Sequence, residues 1–249
     1  MFAFARMQRQ VSRTLIATAL LCGGWAAAVA CSSSSEPGIE ATLLLSSVDD
    51  PPLVDSTRRF DTDRGYQVEL RHGYLVLEHL ELQDCVEDPV IGSLWEPAVA
   101  LAHTGGNPRR LAAPVFVDLI TPPSNTSLGV LKPPAGTYCA FQQSLGPADA
   151  DTPGAPAEAI GQSLSLAFSV SGGPLGEPRV LEIRSDVVFD GFYALQPMTL
   201  DGSHRHVSIK IAHSGAAWFD GIDFATADEE RITQKFLRNF RDSVEVSWQ

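Results

Sequence analysis

Residues 163–170 read SLSLAFSV, and this stretch decides the fold class. Leu164, Leu166, Phe168 and Val170 share one parity, while Ser163, Ser165, Ala167 and Ser169 share the other. Apolar residues at period two mark a strand buried on one face only. The same pattern recurs on either side. In 65–71, Tyr66, Val68 and Leu70 oppose Gln67, Glu69 and Arg71; in 74–82, Tyr74, Val76, Leu80 and Leu82 share a parity. Further strands are predicted at 41–47, 115–120, 128–131, around Cys139, and at 179–183, 186–189, 198–200 and 204–212. Seventeen prolines and twenty glycines punctuate these runs, as many short strands joined by turns require.

The period changes once, near the end. Thr226 and Glu229 have the spacing of a capping box. Ile232, Phe236, Leu237 and Phe240 then fall on one face at helical spacing, which predicts a helix over 227–241. Val244, Val246 and Trp248 alternate after it as a last strand. The expected fold is mainly β: an antiparallel β-sandwich with one C-terminal helix packed on it, formed by a single domain over 41–249. Residues 146–162, rich in Pro, Ala, Gly and Asp, read as a long surface loop, because neither half has strands enough for its own core.

The first forty residues speak to location. Arg6, Arg9 and Arg13 precede an uncharged apolar run from Thr14 to Ala30, the pattern of a secretory signal over 1–30. Ala28, Val29, Ala30 and Cys31 resemble a bacterial lipobox, in which the cysteine carries lipid. The four serines after Cys31 open a flexible tether over 31–40. The expectation is an exported protein, anchored by lipid in the bacterial envelope at the outer membrane or cell surface. Removing residues 1–30 takes away three arginines and no acid, which moves the formal charge from −12 to −15. So acidic a chain repels nucleic acid, and the membrane contact expected is the lipid itself. With Cys22 in the signal and Cys31 lipidated, Cys85 and Cys139 remain as an even pair in an exported chain, which suits one disulfide.

Chemistry-bearing residues gather in 200–224, LDGSHRHVSIKIAHSGAAWFDGIDF, which holds three of the six histidines. On a strand, His204 and His206 share a face with Ser208 and Lys210. They could share a metal from that face, or could simply sit in solvent. His213 falls with Val207, Ile209 and Ile211 on the apolar parity and leads into the loop that carries Trp218. His103 has a similar setting before a Gly-rich loop, so His103 and His213 could meet at one end of a sandwich. Neutral imidazoles suit copper, zinc and nickel. Asp220 and Asp223 flank Gly221 and Ile222 in a turn or a weak calcium loop. The chain contains no GxSxG, SxxK, HExxH, P-loop or GxGxxG motif, and no enzyme activity is expected.

Four segments carry a family resemblance: Gly65 with Tyr66, 73–82 (GYLVLEHLEL), 134–138 (PAGTY) and 217–224 (AWFDGIDF). Together they resemble the MbnP-type copper-binding lipoproteins. That resemblance implies an exported β-sandwich that handles copper through histidines, with a tryptophan near the metal and a cytochrome-peroxidase-like partner. The positions here are His103, His204, His206, His213 and Trp218. The expected function is lipid-anchored, extracytoplasmic binding of copper, with affinity lost as the imidazoles protonate below about pH 6. The alternative is a surface recognition or structural module that binds no metal.

Overall fold

The computed structural model describes residues 38–85, 106–122 and 124–249. Among the described residues, twelve strands build two sheets and one α-helix packs on them. Strands β1 (Glu40–Val48), β6 (Thr126–Leu131), β11 (His206–Ser214) and β12 (Val244–Trp248) form one sheet in the order β12-β11-β1-β6. The larger sheet is organised around β4 (Tyr66–Asp84), which pairs with β3 (Thr57–Asp61), β5 (Val115–Asp118), β7 (Gly136–Leu145) and β8 (Leu164–Gly172). Strand β2 (Leu53–Val54) extends β3, β9 (Arg179–Ser185) extends β8, and β10 (Phe189–Leu200) extends β7. The fold is mainly β with a single C-terminal helix, as the alternating runs predict. Most pairs are antiparallel, but β1 lies parallel to β11.

Several boundaries differ from the sequence reading: β11 begins at His206 instead of 204, β5 ends at Asp118 instead of 120, and three further differences have identifiable contacts behind them. The strands expected at 65–71 and 74–82 are one strand. Gly73 continues it where the side chain of Leu119 packs against the backbone, and a Cβ there would meet the Leu119 Cβ at 3.3 Å. The piece expected at 198–200 belongs to β10, whose register slips between Ala194 and Met198 instead of ending; of the piece expected at 186–189 only Phe189 does, because β10 begins there and 186–188 lie outside any strand. Helix α1 spans Glu229–Asp242 and is capped by Asp228, whose side chain accepts from the Arg231 amide at 2.9 Å. Thr226 is not the cap, because its hydroxyl donates to Asp223 at 2.8 Å.

The core lies between the sheets. Leu43, Leu45, Ile209 and Ile211 of the smaller sheet and Leu75, Leu77, Phe141, Leu166 and Phe168 of the larger join one apolar cluster. Helix α1 closes an end of it with Ile232, Phe236, Leu237 and Phe240, all buried. Each such side chain contributes about 1.5–3 kcal/mol on leaving water. Cys85 and Cys139 form the expected disulfide, with Cα atoms 5.2 Å apart, and tie the end of β4 to β7. Glu81 of β4 is buried and accepts from Arg110 Nε at 2.6 Å and Asn107 Nδ2 at 3.0 Å, which fixes residues 107–110 against the strand.

Candidate functional site

Strand parity decides where the histidines go. On β11, Ile209, Ile211 and His213 turn inward, and His213 stands in register with Ser47 of β1 and Val244 of β12. His213 is only 4% exposed. Its ring meets Phe240 of α1 edge to face, and its Nε2 is buried without a hydrogen-bond partner. Burial drives its pKa down from the usual imidazole range to about 3. Desolvation is the cause, and it favours the neutral imidazole.

Trp218 lies beside it. The two residues line a common void of about 10 Å³ with Leu45, Ser47, Val117 and Leu119, and both pack on Phe240. Such a space admits about one water. The Trp218 loop is fixed by hydrogen bonds. Trp218 Nε1 donates to Ser243 Oγ at 3.2 Å, and Asn239 Nδ2 donates to the carbonyls of Trp218 and Asp220 at 3.0 and 2.7 Å. Gly221 turns the loop at φ 69°, and its amide donates to Asp63 at 2.7 Å.

A buried polar cluster borders the void, and the sequence reading missed it. Ser47 donates to Asp50, which lies 3.4 Å from Arg58 Nη1. Arg58 also donates to the carbonyls of Ile120 and Pro51, at 2.7 and 2.8 Å. Asp50 Oδ1 is buried without a partner and sits against Gly215, where a Cβ would come within 2.3 Å of it. The available signal was parity: in TRRFD of β3, Arg58 shares the inward face with Phe60.

The remaining sequence candidates lie elsewhere. His204 falls outside β11, in an exposed turn, with Nδ1 at 3.1 Å from Ser203 Oγ and 3.6 Å from Asp201. Hydrogen bonds from Ser203 and from the His204 amide hold the Asp201 carboxyl down at about 2. His206 begins β11, exposed, with Nδ1 at 3.6 Å from Glu40. Seven residues of strand, roughly 23 Å, separate His206 from His213, and the two face opposite sides. The structure therefore joins His213 to Trp218, but joins neither to His204 or His206. His103 and Cys31, with the signal over 1–30 and the tether up to residue 37, lie outside the described residues.

Asp220 and Asp223 do not form an ion loop. Asp220 accepts from the Asp63 amide at 3.0 Å. Asp223 accepts from Tyr66 OH at 2.9 Å and from Thr226 and the Ala225 amide, and the Thr226 and Tyr66 hydroxyls lower its pKa. Among the described residues, no three His, Cys, Asp or Glu side chains gather as a metal-binding group. The fit to a soft metal therefore rests on one donor, the orphaned Nε2 of His213. No family model, curated protein or solved structure matches this chain.

Proposed function

We propose that this protein is an exported, lipid-anchored metal-binding protein of a bacterial envelope, that its metal is copper, and that His213 is its principal ligand. One observation carries the reading: a buried, neutral imidazole presents a free nitrogen beside a tryptophan. Metal ligands must be deprotonated, and His213 meets that condition across the whole physiological range. His103 would supply a second nitrogen. Copper bound there would be held by soft, neutral nitrogen donors, and Trp218 would wall the site from water. His204 and His206 are not assigned to this site, because each faces solvent beside a carboxylate.

The test is copper and zinc per chain, measured by elemental analysis after dialysis of residues 32–249. The reading expects one copper, lost in His213→Ala and in His103→Ala and kept in the His204→Ala, His206→Ala double variant. A chain that retains no copper ends the proposal.

A further inference from the structure

A second surface is built for binding, far simpler in its chemistry than the histidine pocket. Strand β9 is an edge. Among the described residues it pairs with β8 alone, so one row of its amides and carbonyls has no strand partner. Helix α1 runs beside that edge, and a groove of about 640 Å³ lies between them. The half-buried Phe189 gives it apolar surface, over a floor of the buried Ile183 and Leu237. Val187 on its lip is 39% exposed, and its neighbour Val188 is 59% exposed. Exposed valines beside a strand edge that no other strand pairs with are what natural sheets normally avoid, since such an edge recruits other strands.

The groove also has a charge order. Glu229 and Glu230 stand at the start of α1 and Arg238 stands two turns on, all three on the groove wall. Arg184, the other cation there, is held by Glu182 at 2.6 Å. Eight residues of helix from Glu230 to Arg238 span about 12 Å. An extended chain covers that distance in about four residues at ~3.3 Å each.

We infer that this groove docks an extended segment of a partner protein, which adds as a strand to β9. Its apolar side chains pack on Val187 and Phe189, a basic residue meets Glu229 and Glu230, and an acidic group about four residues away meets Arg238. Strand addition supplies affinity through the main chain, and the pockets and charges supply selection. The inference stands independently of copper binding, since it shares no residue with the His213 site.

The test is selection of a phage-displayed library of random linear peptides on the full chain, followed by titration of a synthesised winner. The expected winner alternates apolar residues and carries a basic residue about four positions from an acid. Its affinity falls at least tenfold on Val187→Asp and on Glu229→Lys, and is unchanged on Phe192→Asp, an exposed apolar position on β10. Exchanging the peptide's basic residue for glutamate restores binding to Glu229→Lys. Circular dichroism and unfolding midpoints confirm that each variant is folded. No enriched pattern, or a winner that binds Val187→Asp and Glu229→Lys as tightly as the parent, overturns the inference.

Discussion

The imidazole of His213 stands perpendicular to the ring of Phe240, with centroids 4.7 Å apart and an interplanar angle of 90°. This contact joins β11 to α1 and places a titratable group where only its neutral form fits. The folded-state pKa is about 3, against an ordinary value of 6.5. Between those values the unfolded chain binds a proton that the folded chain refuses, so stability falls as pH drops from 6.5 toward 3. Above 6.5 the residue is neutral in both states and contributes no pH dependence. The slope is ~1.4 kcal/mol per pH unit, or about 2 kcal/mol by pH 5. His213→Leu should lose this share of the slope. Urea unfolding at several pH values between 4 and 8 measures it, and equal slopes in both proteins would refute the assignment.

The same depressed pKa fixes how copper capture should respond to acid. An exposed imidazole loses its metal as it protonates near pH 6. His213 does not protonate until about pH 3. The sequence-based expectation of weakening below about pH 6 therefore does not extend to this residue. If protonation of His213 limits binding, copper retained at pH 5 should be close to that at pH 7.5, as read by elemental analysis. Release with a midpoint near 6 would assign the limiting protonation to another histidine.

Arg58 and Asp50 are a buried pair, with side chains 11% and 13% exposed. Arg58→Met leaves the Asp50 charge without its partner and also strips the donors from two carbonyls. The expected loss is about 3–5 kcal/mol, with part recovered in the Asp50→Asn, Arg58→Met double variant. Arg184→Ala breaks an exposed pair with Glu182 and should cost under about 1 kcal/mol. Chemical denaturation of the three variants provides the comparison.

The disulfide between Cys85 and Cys139 closes a loop of sequence separation 54. On the chain-entropy model such a loop contributes ~4 kcal/mol. The Cys85→Ser, Cys139→Ser double variant should lose about 2–5 kcal/mol while keeping its strand content by circular dichroism. A loss much below that range would mean that the pairing of β4 with β7, Gln83 with Ala140 and Asp84 with Tyr138, already holds the two cysteines together.

Alternation in 163–170 was sufficient to locate β8, because a strand buried on one face imposes period two on its own sequence. The helix was legible for the same reason at period 3.6, and its start was misplaced by two residues because Thr226 and Asp228 both have capping side chains. Continuity was not legible. Whether His72 and Gly73 end a strand or lie inside one depends on Leu119, more than forty residues away.

The histidines show the same division. Sequence alone determined their parity on β11: His213 inward with Ile209 and Ile211, His206 outward. Parity is a property of the backbone and needs no partner. Only the tertiary structure decided what His213 meets. Phe240, Trp218 and Ser47 reach it from a helix, a loop and a parallel strand, and the polarity of the space they leave depends on their packing together. The burial that keeps the imidazole neutral is a sum over those distant segments, so no local stretch of the chain could encode it.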